Sequence, residues 1–332
     1  MVDSMDRTPR HLPHFAVVIC TRHRPVGIVD AVRSSLTSDP SPGLVIVVDQ
    51  SDVSSPDPLD EFDGSPGFVH VRDDLRGLSR ARNLGTAVAE AAGATIVAYT
   101  DDDCVVANGW LAGFESMLQA APHVALAFGT TKAAPHDRLA GTIPAYTVRT
   151  TFVGRGLAVK ARLEGMGACM AVRVVAWRQI GGFDDHMGAG TSLAAAEEND
   201  LSVRLLHHGF AVAETPDAEA VHRGYRDRDA VTAMVAGYMR GSGAVTAKMV
   251  RLGGFRALWS LGIIGRRWLA RCTGIDIEHS PPRWVRLRHF VAGAIIGCTT
   301  RIDRTTGRFL PSRGIDDLVA REAIGQRGAS SR

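Results

Sequence analysis

Three consecutive aspartates, Asp101-Asp102-Asp103, close an apolar run and are the strongest chemical signal in the chain. Like charges a few ångströms apart raise one another's pKa, so such a triplet is costly unless a cation sits among its oxygens. Mg2+ and Mn2+ favour carboxylate oxygen and complete their shells with water and ligand phosphate. A cation held this way grips a diphosphate and neutralises the charge that grows on it as it leaves. The competing reading is a solvated acidic turn.

Four further features carry candidate chemistry. Glu197-Glu198 follow a glycine-rich stretch at 188–190, and a carboxylate there suits a general base, a role worth ~10²–10⁴-fold in rate. The alternative is an acidic helix N-terminus favoured by the macrodipole. Arg80 and Arg82 lie near an expected helix start, where phosphate binds well, or else pair on the surface with Asp73 and Asp74. His222 stands alone after Pro216-Asp217-Ala218 and reads first as structural. Asp200 and Arg204, four residues apart, read as a helical ion pair.

The surrounding pattern supplies elements to hold these groups. Continuous apolar runs at 15–20 and 44–48 read as strands buried on both faces, and 68–71 as a short third. Pro25 opens a helix along Val29, Val32 and Leu36. A second helix opens at Gly77-Leu78-Ser79, with Ser79 as its cap, and Gly93 stops it. Residues 95–99 form a fourth strand running into the triplet, and 110–118 another amphipathic helix. Strands alternating with helices imply an α/β fold around a mainly parallel, doubly wound sheet. Ligands bind beyond the carboxyl ends of such strands. Those ends carry Thr21-Arg22, Asp49 and the triplet. Less regular text follows: loops at 52–67 and 130–165, one more strand at 165–171, a helix over 200–208, and basic amphipathic helices from 230 to 310.

The chain has 332 residues and a net charge of +3. Charge is uneven: from 223 onward twenty basic residues face eight acidic ones, against eighteen and twenty-seven before it. A basic tail behind an acidic body suits an anionic lipid surface or a phosphorylated acceptor, or is a solvated arginine-rich helical face. Five scattered cysteines without a C-x-x-C pair imply free thiols rather than a zinc ribbon or disulfide framework. The N-terminus lacks a signal-peptide layout, and the apolar stretches at 257–265 and 290–298 are shorter than the ~20 residues of a spanning helix. The expectation is a cytoplasmic protein, either free or lying on the membrane's cytoplasmic face.

Six segments, in order, resemble family-2 glycosyltransferases of the GT-A fold. They are Val-Val-Ile-Cys-Thr-Arg-His-Arg-Pro (17–25), Val-Val-Asp-Gln-Ser (47–51), Gly-Leu-Ser-Arg-Ala-Arg-Asn-Leu-Gly (77–85), Tyr-Thr-Asp-Asp-Asp-Cys (99–104), Gly-Gly-Phe-Asp (181–184) and Glu-Glu-Asn-Asp-Leu (197–201). The resemblance implies a Rossmann-like GT-A domain over 14–225, with a nucleotide half to about 130 and an acceptor half beyond. A flexible leader (1–13) precedes it and a basic, mostly helical region (226–332) follows. It implies hexosyl transfer with inversion from a UDP, GDP or TDP sugar to a saccharide, lipid-linked or small-molecule acceptor, in polysaccharide or glycoconjugate biosynthesis. No nucleic-acid partner is implied.

On that resemblance Thr21, Arg22, Asp49, Arg82, Asn83, Asp101 and Asp102 would bind the donor nucleotide. Asp103 and His222 would hold Mn2+ or Mg2+, and Glu198 would be the catalytic base. Two departures stand out: Glu197-Glu198 replaces the usual Glu-Asp, and Gly167-Ala168-Cys169-Met170 replaces Gly-Ala-Asn-Met. A nucleotidyltransferase on a similar sheet, or a degenerate nucleotide-sugar binder, are the rival readings. The basic tail serves either a membrane surface or packing against the catalytic domain or a second subunit, as in a homodimer.

Overall fold

The computed structural model describes residues 10–52, 57–253 and 280–311. The expected leader lies largely outside these residues, as does the apolar stretch 257–265.

The chain begins with β1 (His11–Thr21), α1 (Pro25–Leu36), β2 (Ser41–Asp49), β3 (Phe68–Arg72), α2 (Leu78–Ala91) and β4 (Ile96–Asp101). β1 starts earlier than its apolar run because His11 and Leu12 pair with Ser41 and Pro42. These four strands are mutually parallel. Their side chains alternate across the sheet: Phe15, Val17 and Ile19 face α1, while Ala16 and Val18 face α2. Both faces are covered, which is why the strands read as unbroken apolar runs.

β5 (Cys104–Val106), α3 (Trp110–Ala120), β6 (Val124–Ala133), β7 (Gly141–Thr142), β8 (Phe152–Arg155), β9 (Met170–Arg173) and α4 (Val174–Gln179) follow. Then come α5 (Glu197–His207), β10 (Ala211–His222), β11 (Arg226–Asp227), α6 (Arg228–Gly253) and α7 (Arg283–Thr299). The main sheet runs β3-β2-β1-β4-β9-β6-β10-β5, with β8 beside β10. β9 pairs antiparallel with both β4 and β6, so the second half of the sheet is mixed rather than parallel.

Several expectations are corrected. β6 and β10 lie where no strand was expected, and the strand placed at 165–171 is Met170–Arg173. β10 was hidden because its pairing with β6 shifts between Glu214 and Glu219, around Pro216, which cannot donate to the ladder. Ser79 does not cap α2; it lies inside the helix, and its hydroxyl donates to Met187 O at 2.8 Å. The helix expected at 200–208 starts at Glu197, placing both glutamates in its first turn.

A knot of fully buried charge joins the C-terminal helices to this body. Lys248 of α6 lies 2.6 Å from carboxylate oxygens of both Asp184 and Asp200. Arg204 pairs with Asp200 at 2.7 Å and donates to the carbonyls of Ile180 and Gly182. Phe309 closes the knot: its N–H donates to Asp184, and its ring lies 3.8 Å from the Lys248 ammonium. Burial alone would raise the Asp184 pKa; the Lys248 charge and the His186 hydrogen bond reverse this and hold it well below the carboxylate range. Removing one member of such a set strands the others without water. Lys248→Ala is expected to lower stability by about 3–5 kcal/mol, read as a shift in denaturant midpoint at constant m. A shift under about 1 kcal/mol would show that the carboxylates find other partners.

Candidate functional site

The register of the parallel strands lines up the acidic groups. Thr21 pairs with Asp49, and Cys20 with Asp101, so β1, β2 and β4 end together at one edge of the sheet. Asp102 and Asp103 form the turn into β5. Thr21 donates its hydroxyl to Asp102 at 2.8 Å.

The cation beside these acids is Arg24. Its guanidinium lies 3.0 Å from Asp102 and in direct ion-pair contact with Asp103. Arg22, the arginine singled out in the sequence, lines neither cavity of the site, and its buried Nε has no partner among the described residues. His23, between the two arginines, takes a left-handed φ of 56° in the bend that joins Thr21 to α1. No glycine announces that turn.

His222, expected first as a lone histidine, lies on Asp103. β10 pairs antiparallel with β5, and the Nε2 of His222 is 3.0 Å from Asp103 Oδ1. Its Nδ1 is 2.8 Å from the carbonyl of Pro144, which only accepts, so Nδ1 carries the proton. In the neutral ring, Nε2 is then the bare nitrogen, the arrangement seen in metal-ligating histidines. Gly224 keeps the space open, since a Cβ there would collide with Asp103 Oδ2 and lie 2.8 Å from His222 Nε2. Cys104 places its sulfur in the same group, all donor atoms lying within 4.8 Å of one another. Oxygen from Asp103 and imidazole from His222 suit Mn2+ better than an all-oxygen magnesium cage. The residues therefore fit a divalent cation.

Electrostatics sort the acids. Burial would raise the Asp103 pKa, but the hydrogen bond and charge of His222, then Arg24 and Arg226, hold it far below the usual range. Burial would lower His222; Asp103 overrides this and raises it. Asp102, desolvated and next to Asp103, is pushed up to about 6 despite Arg24.

Arg82 is buried rather than paired on the surface. It donates to Glu197 at 2.8 Å and to Asp101 at 3.1 Å, tying α2 to α5 and β4. Only Arg80 makes the expected surface pair with Asp73. Asn83 does not turn toward the acids. Its amide nitrogen donates to Phe183 O and Asp185, and its oxygen accepts from Phe183 N and Trp177 Nε1, which saturates it. It shapes the 181–185 turn instead.

Glu198 follows Glu197 in the first turn of α5 and has no ion-pair partner among the described residues. Burial, then the negative charge of Glu197, pushes it up to about 8. Tyr238 of α6 is 41% exposed, yet its phenol is raised by partial burial and then by the charges of Glu198, Glu197 and Asp101.

Two cavities flank Arg24. One of about 230 Å³ is lined by Thr21, Asp49, Ser51, Asp57 and Leu59, and one of about 330 Å³ by Asp103, Gly224, Tyr225 and Arg226. Arg24, Tyr238, Arg226 and Gly224 escaped the sequence reading. The only signal was that Arg24 precedes the helix-opening Pro25 and that Gly224 and Arg226 follow His222.

A model of the family described as "Glycosyltransferase like family 2" matches residues 13–243. No curated protein matches the sequence. Among solved structures, the 1–349 portion of S. aureus TarS is similar with a TM-score of 0.57 at 13% identity, over 84% of this chain and 80% of that one. Its complex with UDP-GlcNAc gives 0.52 at 13%, over 84% and 81%. The mannosyltransferase PcManGT from Pyrobaculum calidifontis, in complex with GDP-Man and Mn2+, gives 0.55 at 17%, over 89% and 90%. At these identities the likeness concerns the fold.

A cation at Asp103 and His222 must displace the proton that Asp103 stabilises on His222. Mn2+ affinity is therefore expected to fall as pH drops through the raised His222 pKa, with proton release seen by calorimetry in buffers of different ionisation enthalpy. Affinity independent of pH between about 6 and 8 would remove His222 from the ligand set.

Proposed function

The chain belongs to glycosyltransferase-like family 2 and has the GT-A fold, and from that premise we propose that it transfers a hexosyl unit, with inversion, from a UDP, GDP or TDP sugar to an acceptor hydroxyl. The observation that carries this reading is the pairing of Asp103 with a histidine whose Nδ1–H is anchored on Pro144. It stands at the edge where three parallel strands end, where this architecture binds ligands.

Asp103 and His222 would hold Mn2+ or Mg2+. When bound, the cation supplies Lewis-acid neutralisation of the leaving diphosphate. The chain's own groups supply the rest. Thr21 and Asp49 line the smaller cavity, a fit for the nucleoside. Arg82 holds Asp101 at the end of β4, and the Thr21 hydroxyl orients Asp102. Arg24, beside both cavities, is placed to meet phosphate when its carboxylate partners are engaged elsewhere. The ligands in the similar structures, UDP-GlcNAc and GDP-Man with Mn2+, are of the proposed donor class.

Glu198 would take the proton of the attacking hydroxyl. Its neighbour Glu197 is committed to Arg82, so one carboxylate of the pair remains to act, and a single base suits direct displacement. A carboxyl whose pKa is near 8 is a stronger proton acceptor than a solvent-exposed glutamate. Its proton must leave before it works, so kcat/KM should rise with pH up to about 8 and fall about tenfold per unit below it.

Glu198→Gln is expected to lower kcat by about 10²–10⁴-fold while leaving donor binding intact. Transfer at the wild-type rate would dismiss Glu198 as the base. Nucleoside diphosphate as the released product supports the assignment, and pyrophosphate would instead indicate nucleotidyl transfer.

A further inference from the structure

α7 buries its two glycines, Gly293 and Gly297, and turns four of its large apolar residues outward. A Cβ at Gly293 would collide with Arg240 O, and one at Gly297 would lie 2.6 Å from Ala244 O. The helix therefore seats backbone against backbone on α6 through this small-residue face. The opposite face carries Trp284, Leu287, Val291 and Ile295, spaced three, four and four residues apart, hence along one side of the helix. They are 67%, 47%, 45% and 58% exposed. These four are more than a third of the eleven large apolar side chains exposed among the described residues, so they form a patch rather than scatter.

The charge around the stripe is of one sign. Residues 280–302 contain Arg283, Arg286, Arg288 and Arg301 and no carboxylate. Arg283 and Arg288 are exposed beside Trp284 and Leu287. An apolar ridge bordered by arginine and led by tryptophan is the form that seats in a lipid headgroup layer, apolar side chains toward the acyl boundary and guanidinium against phosphate. No helix among the described residues is long and apolar enough to cross a membrane.

We propose that the exposed face of α7 docks the protein on the surface of an anionic bilayer. Charge favours this occupant over the chain's own segment 254–279, which carries four arginines against two acids and would bring like charge to the stripe. A second copy would bring the same arginines face to face. Phe290 of α7 meets Gly243 of α6 backbone to backbone, which fixes the helix on the body while leaving the stripe outward. The inference stands apart from the sugar transfer, because docking is measured without turnover.

Vesicle flotation of the full chain tests it, using phosphatidylcholine alone and with about one-third phosphatidylglycerol. The wild type is expected to float with the anionic vesicles at least tenfold more than with neutral ones, and to be released by about 1 M salt, where the Debye length is near 3 Å. The double variant Leu287→Asp, Ile295→Asp should lose at least tenfold in vesicle binding with an unchanged thermal transition. Arg283→Gln with Arg288→Gln should weaken binding without touching the apolar ridge. Equal flotation of wild type and both variants would overturn the proposal. So would a concentration-dependent dimer of the wild type that the double variant abolishes and anionic vesicles do not compete with. Protection of the Trp284 face by segment 254–279, seen as wild-type flotation only after its deletion, would assign the ridge to the chain itself.

Discussion

Five carboxyl groups crowd the edge of the sheet and the facing turn of α5: Asp101, Asp102, Asp103, Glu197 and Glu198. They cannot all be ionised there without counter-charge, and this repulsion organises the site. Arg82 answers for Asp101 and Glu197 together. Arg24, Arg226 and His222 converge on Asp103 and hold it far below the usual carboxylate range. Asp102 and Glu198 are left with too little positive charge and are pushed up to about 6 and about 8. The same crowding thus yields one carboxylate held charged and one carboxyl that exchanges its proton near neutrality, the two roles that the proposed metal-assisted transfer would divide between Asp103 and Glu198.

The second constraint acts from below. α5 carries Glu197 and Glu198 at its start and Asp200 and Arg204 on its buried side. It is held between the sheet, through Leu201 and Leu205, and the C-terminal helices, through Val203. Lys248 ties Asp200 to Asp184 from α6, so the helix that presents Glu198, the proposed base, is fixed by a residue far along the chain. The basic tail after residue 225 is therefore structurally continuous with the site: Arg226 reaches Asp103, and Lys248 anchors the helix that carries Glu198.

What was legible in the sequence follows from what burial does to strands. β1, β2 and β4 are covered on both faces and so announce themselves as apolar runs, and their ends locate Thr21, Asp49 and Asp101. β10 stayed hidden because a register shift around Pro216 breaks its run, and with it went the reason His222 meets Asp103. The exchange of Arg22 for Arg24 spans a positive φ at His23, a residue type that does not advertise one. The role of Asn83 depends on four hydrogen bonds from the 177–185 stretch, a hundred residues away, which no local pattern encodes.

These differences separate what the fold fixes from what it leaves free. Groups at strand ends are placed by ladder register, and register tolerates almost no drift because a slip of one residue turns a side chain to the other face. The fold can therefore persist while identity falls to the 13–17% found among the similar structures. The walls of the cavities come instead from turns and from helices that follow the sheet: Pro58 and Leu59 on one side, Tyr225 and Arg226 on the other. Those positions answer to packing with α6, to the loops and to the two-residue β11–β7 pair rather than to the ladder of the main sheet. On the proposed reading, selectivity for donor and acceptor varies with the segments around 52–67 and 223–240, while the reaction type stays with the proposed groups Asp101–Asp103, His222 and Glu198.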